Sequence, residues 1–356
     1  MTAPLDIIKP SVRALRAYTL SPHRASVKIN QNENPWDAPA EIKDEVLRRF
    51  AARKWSRYPD FVPVSLHERL AEFAGWKADG VIAGNGSNEL IQALLTVSIG
   101  PGKRVLISEP TFTLYKQVAT ILGGEVETVL LTPELTYDVA ALLKTIEETQ
   151  ADVTIICSPN NPTGCVIDEG DLISVLEASR GLVVIDEAYH EFAQQSVVPL
   201  LNEHENLIVL RTFSKAMAFA ALRVGYLLAS PELVTEIRKA VLPYNLNAFS
   251  QVAAEVALEK YPALLGPTVE AIVTERERLY TAISHLRGLT PVLSRGNFMV
   301  VSSDTDPKQI FEELLKRDIL VRDVSGYPML TEYFRVSVGT PEENDRLLRA
   351  LHEIQG

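Results

Sequence analysis

Short apolar runs alternate with amphipathic stretches between about residues 80 and 230. The runs have the length of buried strands and lie at residues 80–83, 104–108, 125–131, 153–157, 182–186, 207–211 and 225–229. Between several of them, apolar residues recur at helical spacing, over residues 88–98, 113–122, 139–148 and 169–178. Such alternation is typical of a mainly parallel sheet covered by helices. The pattern therefore predicts an α/β fold with a seven-stranded, mainly parallel sheet in one large domain.

The C-terminal part has a different pattern. A long helical stretch is interrupted near Pro262 and Pro267, and a last helix has a start signal, because Thr340 can be its N-cap and Glu343 can complete a capping box. The segments are a helical stretch at 250–286, a strand at 298–302, a helix at 307–317, and strands at 320–323 and 333–338. We therefore expect a small α+β domain. The predicted division is an N-terminal arm over residues 1–28, a large domain over 29–249 and a small domain over 250–356.

The composition excludes several classes of protein. The chain has 356 residues, with 35 Lys and Arg against 46 Asp and Glu, so its net charge is −11. A chain this acidic repels phosphate backbones, so we expect no nucleic-acid partner. The first ten residues lack the apolar core of a signal peptide, and no apolar run approaches the roughly 18 residues of a membrane span. The two cysteines and six scattered histidines lack the spacing of a metal site. We therefore expect a cytoplasmic enzyme without a metal or membrane attachment, which uses an organic cofactor.

Two loops at strand ends carry candidate ligand-binding groups. Residues 84–89 (GNGSNE) join a strand to a helix, and glycines beside a helix N-terminus at Ser87 and Asn88 suit an anion. A tight turn capped by Asn or Ser explains this motif equally well. Residues 158–164 (SPNNPTG) form a stiff loop at the sheet edge where α/β proteins bind ligands. Asn161 in this loop can donate a hydrogen bond to a phenolate or carboxylate oxygen, and a structural turn is the alternative.

Two further strand ends carry charged residues. Asp186 ends an apolar strand, where it can bind a metal or balance a positive nitrogen, whereas Glu187 is expected to be a surface acid. Lys215 precedes an apolar run, so we expect it to be withdrawn from water. Desolvation and nearby positive charge lower the pKa of an amine and make it a nucleophile that can form a Schiff base. Ser214 and Arg223 supply a hydroxyl and a guanidinium suited to a phosphate.

Together these groups describe one cofactor. It needs partners for a phosphate (Ser87, Asn88, Ser214, Arg223), a protonated pyridine nitrogen (Asp186), a ring hydroxyl (Asn161, Tyr189) and an aldehyde (Lys215). The cofactor with all of these groups is pyridoxal 5′-phosphate.

The same residues resemble those of the fold-type I aminotransferases, and within them the histidinol-phosphate aminotransferases. The resemblance covers about residues 28–344. It rests on INQNENP (29–35), RYPD (57–60), GSNEL (86–90), PTF (110–112) with Tyr115, NNPTG (160–164), DEAY (186–189), residues 212–223, PYNLN (243–247) and FRVSVGT (334–340). The resemblance implies a homodimeric pyridoxal-phosphate enzyme of histidine biosynthesis. Such an enzyme transfers the amino group of L-histidinol phosphate to 2-oxoglutarate, giving imidazole acetol phosphate and glutamate.

The resemblance also implies residue roles. Lys215 is the Schiff-base lysine and carries the proton between the substrate's α-carbon and the cofactor. The implied cofactor contacts are Asp186 at the pyridine nitrogen, Asn161 and Tyr189 at the ring oxygen, Tyr115 on the ring face, Ser87, Asn88, Ser214 and Arg223 at the phosphate, and Tyr58 from the neighbouring subunit. The implied substrate contacts are Arg335, Arg322 beside it and Tyr18 of the arm. The alternative for Arg322 is an ion pair with Asp323 or another surface acid.

The substrate stays open at this point. Family members usually have glycines after the lysine, whereas here residues 216–222 read AMAFAAL, and the added methyl groups should shift or stiffen this loop. An aromatic amino acid aminotransferase and a phosphothreonine decarboxylase share much of the site and are the alternatives.

Overall fold

The structure, a computed structural model, describes residues 4–17 and 22–355. Within these ranges the strands are β1 (Val27–Lys28), β2 (Val81–Asn85), β3 (Arg104–Glu109), β4 (Glu125–Leu130), β5 (Val153–Cys157), β6 (Leu182–Asp186), β7 (Leu207–Thr212), β8 (Val224–Leu228), β9 (Leu289–Pro291), β10 (Phe298–Ser303), β11 (Ile319–Leu320), β12 (Arg322–Asp323) and β13 (Tyr333–Ser337). The α-helices are α1 (Pro10–Arg13), α2 (Ala40–Ala51), α3 (Val64–Ala74), α4 (Ser87–Ser98), α5 (Leu114–Leu122), α6 (Val139–Thr149), α7 (Glu169–Ala178), α8 (His190–Ala193), α9 (Pro231–Ile237), α10 (Ala248–Lys260), α11 (Gly266–Ser284), α12 (Pro307–Lys316) and α13 (Pro341–Gln355). Short 3-10 segments lie at Pro4–Ile7, Ala78–Gly80, Val198–Asn202, Ala220–Leu222 and Arg238–Ala240.

A seven-stranded sheet forms the centre of the molecule, in the order β2–β8–β7–β6–β5–β3–β4. β8 is antiparallel to both of its neighbours, and the other adjacent pairs are parallel. The central strands β5 and β7 are buried along their whole length, as expected for apolar runs covered on both faces. The predicted α/β fold with a seven-stranded, mainly parallel sheet is confirmed.

Successive strand residues point to opposite sides of this sheet, and apolar residues lie on both sides, so helices cover both faces. On one face, Val184 belongs to a buried cluster with Leu94 of α4. On the other, Val183 belongs to a cluster with Leu172 of α7 and Val252 of α10. The strand ends are therefore held by packed apolar residues on both faces of the sheet.

A smaller antiparallel sheet, in the order β12–β13–β10–β9, packs against α11, α12 and α13. Its core includes Phe334 and Leu347. The capping box of α13 is present: the amide of Glu343 donates to the Thr340 hydroxyl (3.2 Å), and the Thr340 amide donates to the Glu343 carboxylate (2.9 Å).

The long helical pattern at 250–286 forms two helices, α10 and α11, joined by a π-helical turn at Tyr261–Leu265. Pro262 lies in this turn, and a proline cannot donate the main-chain hydrogen bond that a regular α-helix needs there. No helix in the described part of the chain is long and apolar enough to cross a membrane.

One predicted strand, 320–323, divides between two sheets. β11 pairs in parallel with β1, whereas β12 pairs with β13. The β1–β11 pairing holds the segment after residue 28 against the small sheet, and Val27 and Ile29 are buried in its core. The division of the chain at residues 28 and 249 stays a prediction.

Candidate active site

A cavity of about 420 Å³ lies at the carboxyl ends of β5, β6 and β7, where residues of the small sheet complete its wall. Parallel strands place their carboxyl ends on one edge of a sheet, where α/β folds bind ligands. The predicted residues that line this cavity are Ser87, Asn88, Tyr115, Asn161, Asp186, Tyr189, Ser214, Lys215, Arg223, Arg322 and Arg335. Tyr58 does not line it, and Tyr18 lies outside the described residues.

Lys215 lies half-buried on the cavity wall. Its Nζ donates a hydrogen bond to the main-chain oxygen of Gln31 (3.0 Å). Desolvation, reinforced by the positive charge of Arg335, lowers the pKa of this amine to about 7. At neutral pH about half of such amines are uncharged, so Lys215 can act as a nucleophile or a base.

Asp186 is a buried carboxylate at the end of β6. It accepts hydrogen bonds from the Tyr115 hydroxyl (2.6 Å) and the Ala188 amide (3.0 Å). Burial raises the pKa of Asp186, and the Tyr115 hydrogen bond opposes this rise. A buried carboxylate is stabilised most by a positive partner, so a cationic nitrogen in the cavity suits this position.

Tyr115 is completely buried, and its hydroxyl is engaged with Asp186. Its stacking on a ring face stays a prediction. The same wall contains Phe112, which the sequence placed in a motif without a role and which packs edge-on against Tyr115 with a centroid distance of 5.6 Å.

The turn from β2 into α4 forms a cradle for an anion. Gly86 has φ 77°, and a Cβ atom there would lie 2.5 Å from the Arg223 guanidinium, so only glycine fits. The Arg223 Nη1 donates to the Ser214 hydroxyl (3.1 Å), and Ser87 begins α4. The first amides of a helix, a hydroxyl and a guanidinium together suit a phosphate.

Arg322 and Arg335 lie directly opposite each other on β12 and β13. Arg335 donates to the Asn161 Oδ1 (2.5 Å) and to the main-chain oxygen of Asn30 (2.8 Å). Among the described residues, no acid lies within ion-pair distance of Arg322. Asp323, its sequence neighbour, instead accepts the amide of Ser325 (2.8 Å). The alternative of an ion pair between Arg322 and Asp323 is therefore wrong.

Sequence reasoning assigned no role to the segment 30–33, which forms one wall of the cavity. The segment was visible only as part of a motif, because the pairing that brings it to the site joins β1 to β11, nearly 300 residues later. Asn32 has φ 53° and donates to the Tyr189 hydroxyl (3.1 Å). Glu33 forms an ion pair with Lys28 at the cavity edge.

Glu187 was expected to be a surface acid, and this expectation is wrong. Its side chain is buried and forms an ion pair with Arg211 of β7 (2.8 Å). Adjacent residues at a strand end point to opposite sides, so Asp186 lies at the cavity while Glu187 faces away from it. In the loop after Lys215, Ala218 has φ 58°, a left-handed conformation that favours glycine.

The match to the family model for aminotransferase class I and II covers residues 25–351. A histidinol-phosphate aminotransferase of Chlorobium phaeobacteroides is 40% identical over 97% of this chain and 96% of its own length. The enzyme of the same name from Chlorobium phaeovibrioides is 38% identical over 98% and 97%. The crystal structure of histidinol-phosphate aminotransferase from Sinorhizobium meliloti, in complex with pyridoxal 5′-phosphate, has the same fold, with a TM-score of 0.87, 24% identity and coverage of 97% and 96%. The chain belongs to the class I and II aminotransferase family.

Proposed function

We propose that this chain is a histidinol-phosphate aminotransferase, which transfers the amino group of L-histidinol phosphate to 2-oxoglutarate with pyridoxal 5′-phosphate as cofactor. Full-length relatives at 36–40% identity carry this name. The structural observation that carries the proposal is the pair of arginines, Arg322 and Arg335, beside Lys215 in one cavity.

The residues of the cavity fit the cofactor. The cradle at Gly86 and Arg223 has the donors and the space for a phosphate, and the buried Asp186 suits a protonated pyridine nitrogen. Ser87, Asn88 and Ser214 would complete the phosphate site. Asn161 and Tyr189 would hold the ring oxygen, and Lys215 would hold the aldehyde carbon. When bound, pyridoxal phosphate supplies an electron sink that stabilises negative charge at the substrate's α-carbon.

Lys215 is placed to move a proton. Its pKa of about 7 leaves part of the free amine uncharged, so Lys215 would accept the proton from the substrate's α-carbon and deliver it to the cofactor carbon. In the second half-reaction it would carry a proton in the opposite direction. Asp186 would act by its charge: held by the Tyr115 hydroxyl and the Ala188 amide, its carboxylate would stabilise a positive ring nitrogen.

The two arginines favour a doubly charged substrate group. Like charges directly opposite on antiparallel strands destabilise a sheet, so an anion bound beside both arginines would stabilise the pair. Guanidinium groups bind phosphate and carboxylate in a bidentate manner. Histidinol phosphate has no carboxylate, so its phosphate would occupy this position, and 2-oxoglutarate would use it in the second half-reaction.

Turnover of three amino donors tests the proposal. Purified enzyme is supplied with histidinol phosphate, phenylalanine or phosphothreonine, each with 2-oxoglutarate, and glutamate and CO2 are measured. We expect the highest kcat/KM for histidinol phosphate, with glutamate formed and no CO2. A preference for phenylalanine would favour the aromatic aminotransferase, and CO2 from phosphothreonine would favour the decarboxylase. The names of the relatives favour neither alternative.

We further propose a homodimer in which Tyr58 reaches the neighbouring site. Its side chain is exposed, and its ring stacks on Tyr244 with a centroid distance of 4.5 Å. Trp55 and Phe61 are also exposed nearby in sequence, and exposed aromatic groups of this kind mark interfaces. As a biosynthetic enzyme, the protein is proposed to act in the cytoplasm.

Subunit mixing tests this assignment. Lys215→Ala and Tyr58→Ala are each expected to be inactive or strongly impaired. If Tyr58 acts across the interface, a mixed dimer has one intact site, and statistical exchange of equal amounts restores about a quarter of wild-type activity. No recovery after confirmed subunit exchange would place Tyr58 in its own subunit's site or outside catalysis.

A further inference from the structure

The hydroxyl of Tyr189 is surrounded by donors. The Asn32 Nδ2 donates to its oxygen over 3.1 Å, and the Asn161 Nδ2 donates over 3.3 Å. Within residues 4–17 and 22–355, no acceptor lies within hydrogen-bond distance of the Tyr189 proton.

The orientation of both amides is fixed by their other ends. The Ser337 hydroxyl donates to the Asn32 Oδ1 (3.0 Å), and the Asn32 main-chain amide donates back to the same hydroxyl (2.8 Å). The Arg335 Nη1 donates to the Asn161 Oδ1. A guanidinium can only donate, so Arg335 fixes the Asn161 amide with its NH2 group on the other side. The Ser337 hydroxyl accepts from the Asn32 main chain, and the Asn32 Oδ1 is the acceptor for its proton among the described residues, which turns the Asn32 NH2 group toward Tyr189. Both asparagines therefore present N–H groups to Tyr189.

We propose that Asn32 is a positioning residue, which holds the Tyr189 hydroxyl so that its proton points into the cavity, toward the ring oxygen of the cofactor. A phenol oxygen that accepts two hydrogen bonds has its own proton directed elsewhere, and the cavity is the open direction. Burial raises the pKa of Tyr189, so this proton is retained at working pH. The inference rests on the proposed role of Tyr189 at the ring oxygen.

The Asn32 backbone permits a clean test. Because its φ is 53°, Asn32→Gly removes the amide without the strain that alanine would meet there. The readout is the pH midpoint of the visible absorption band of the bound cofactor, measured without substrate. A donor that stabilises an anionic ring oxygen lowers this midpoint, so Asn32→Gly should raise it, by about 0.5–1 pH unit for one oriented hydrogen bond.

Charged groups that line the cavity also influence this midpoint. They are Lys215, Asp186, Arg223, Arg322, Arg335 and Glu33. None of these groups is altered in Asn32→Gly, so a shift of the pH midpoint reports a change in how the Tyr189 hydroxyl is held. Asn34→Ala is the matched control, because the Asn34 side chain donates to the Ala216 main chain (3.2 Å) and does not contact Tyr189. It should leave the midpoint unchanged.

Tyr189→Phe separates the inference from the proposed function. This variant should raise the midpoint, and Asn32→Gly should add nothing in its background. A midpoint unchanged by Tyr189→Phe would overturn the role of Tyr189 itself. A normal midpoint in Asn32→Gly, or an equal shift with and without the Tyr189 hydroxyl, would overturn the inference alone. If Asn32→Gly does not retain the cofactor, Ser337→Ala is measured instead. This variant keeps Asn32 but removes the hydroxyl that orients its side-chain amide. A smaller upward shift of the midpoint supports the inference, and an unchanged midpoint contradicts it.

Discussion

Replacing Arg322 with alanine should lower activity and raise stability at the same time. Arg322 lies half-buried on the cavity wall, directly opposite Arg335, with no acid at ion-pair distance among the described residues. Without a bound anion the two guanidinium groups repel each other. When a phosphate dianion is bound, both guanidinium groups attract it. A residue that destabilises the free protein but contributes favourably when a ligand is bound is expected to serve in ligand binding.

Both effects have an estimable size. Hydrogen bonds that involve charged groups contribute about 1.5–3 kcal/mol, which corresponds to a loss of about 10- to 100-fold in kcat/KM for histidinol phosphate. Phenylalanine carries a single carboxylate charge, which Arg335 can bind alone, so its loss should be about two- to three-fold. Relief of like charges across a strand pair is worth about 0.2–1 kcal/mol. For a chain of this length we expect Tm to rise by about 0.3–1.3 °C.

The assay is the donor half-reaction, followed by the absorbance of the bound cofactor, with thermal unfolding measured on the same protein. Arg317→Ala is the matched control: it also removes a positive charge close to Arg322 in the sequence, but Arg317 pairs with Glu313 and does not line the cavity. It should leave both substrates unaffected. Equal losses for histidinol phosphate and phenylalanine in Arg322→Ala, or a lower Tm, would refute the reasoning and make Arg322 a structural residue.

Three further outcomes follow from single groups. Asp186→Asn keeps the shape but loses the charge, and should lower kcat about 100- to 1000-fold with cofactor fully bound; near-normal turnover would contradict the pairing with a positive nitrogen. Ala218→Gly should raise the free energy of unfolding by about 0.5–1 kcal/mol, because φ 58° strains alanine by more than glycine gains in the unfolded chain, whereas Ala221→Gly, at ordinary φ, should bring no gain. Burial lowers the pKa of His67 to about 4 in the folded chain. Between about pH 6.5 and pH 4, His67 is therefore protonated in the unfolded chain but neutral in the folded chain. When the pH is lowered from 7 to 5, the free energy of unfolding of the wild type should therefore decrease by about 1–2 kcal/mol because of His67. His67→Gln should not show this part of the decrease, and an unchanged pH dependence in that variant would contradict the prediction.

The large sheet was predictable because its signals are local. A buried parallel strand appears as a continuous apolar run, and β5 and β6 begin and end at the predicted residues. Asp186, Asn161 and Lys215 follow directly from this, since each lies at or just after a strand end and parallel strands bring those ends together. For these residues, position along the chain is enough to place them in space.

The remaining wall could not be predicted in this way. Residues 30–33 are held at the cavity by the two-residue pairing of β1 with β11 and by hydrogen bonds to Ser337 and Arg335, and neither leaves an apolar pattern in the sequence. The β1–β11 pairing also divides the predicted strand 320–323, and the separate pairing of β12 with β13 places Arg322 opposite Arg335. Glu187 was misassigned for a related reason: its partner, Arg211, comes from the adjacent strand, and a sequence pattern shows burial of apolar residues but not of ion pairs.

The two donors on Tyr189 differ in what holds them, and this explains why both are present. Asn161 is oriented by Arg335, a residue expected to bind the substrate anion. An anion that recruits the Nη1 of Arg335 competes directly with the Asn161 oxygen, so substrate binding weakens the contact that orients this amide. Asn32 is oriented by Ser337, whose hydroxyl does not line the cavity. Under the proposed roles, we therefore expect Tyr189 to keep one oriented donor whether or not Arg335 binds an anion, and we expect its contact with the ring oxygen to persist through both half-reactions.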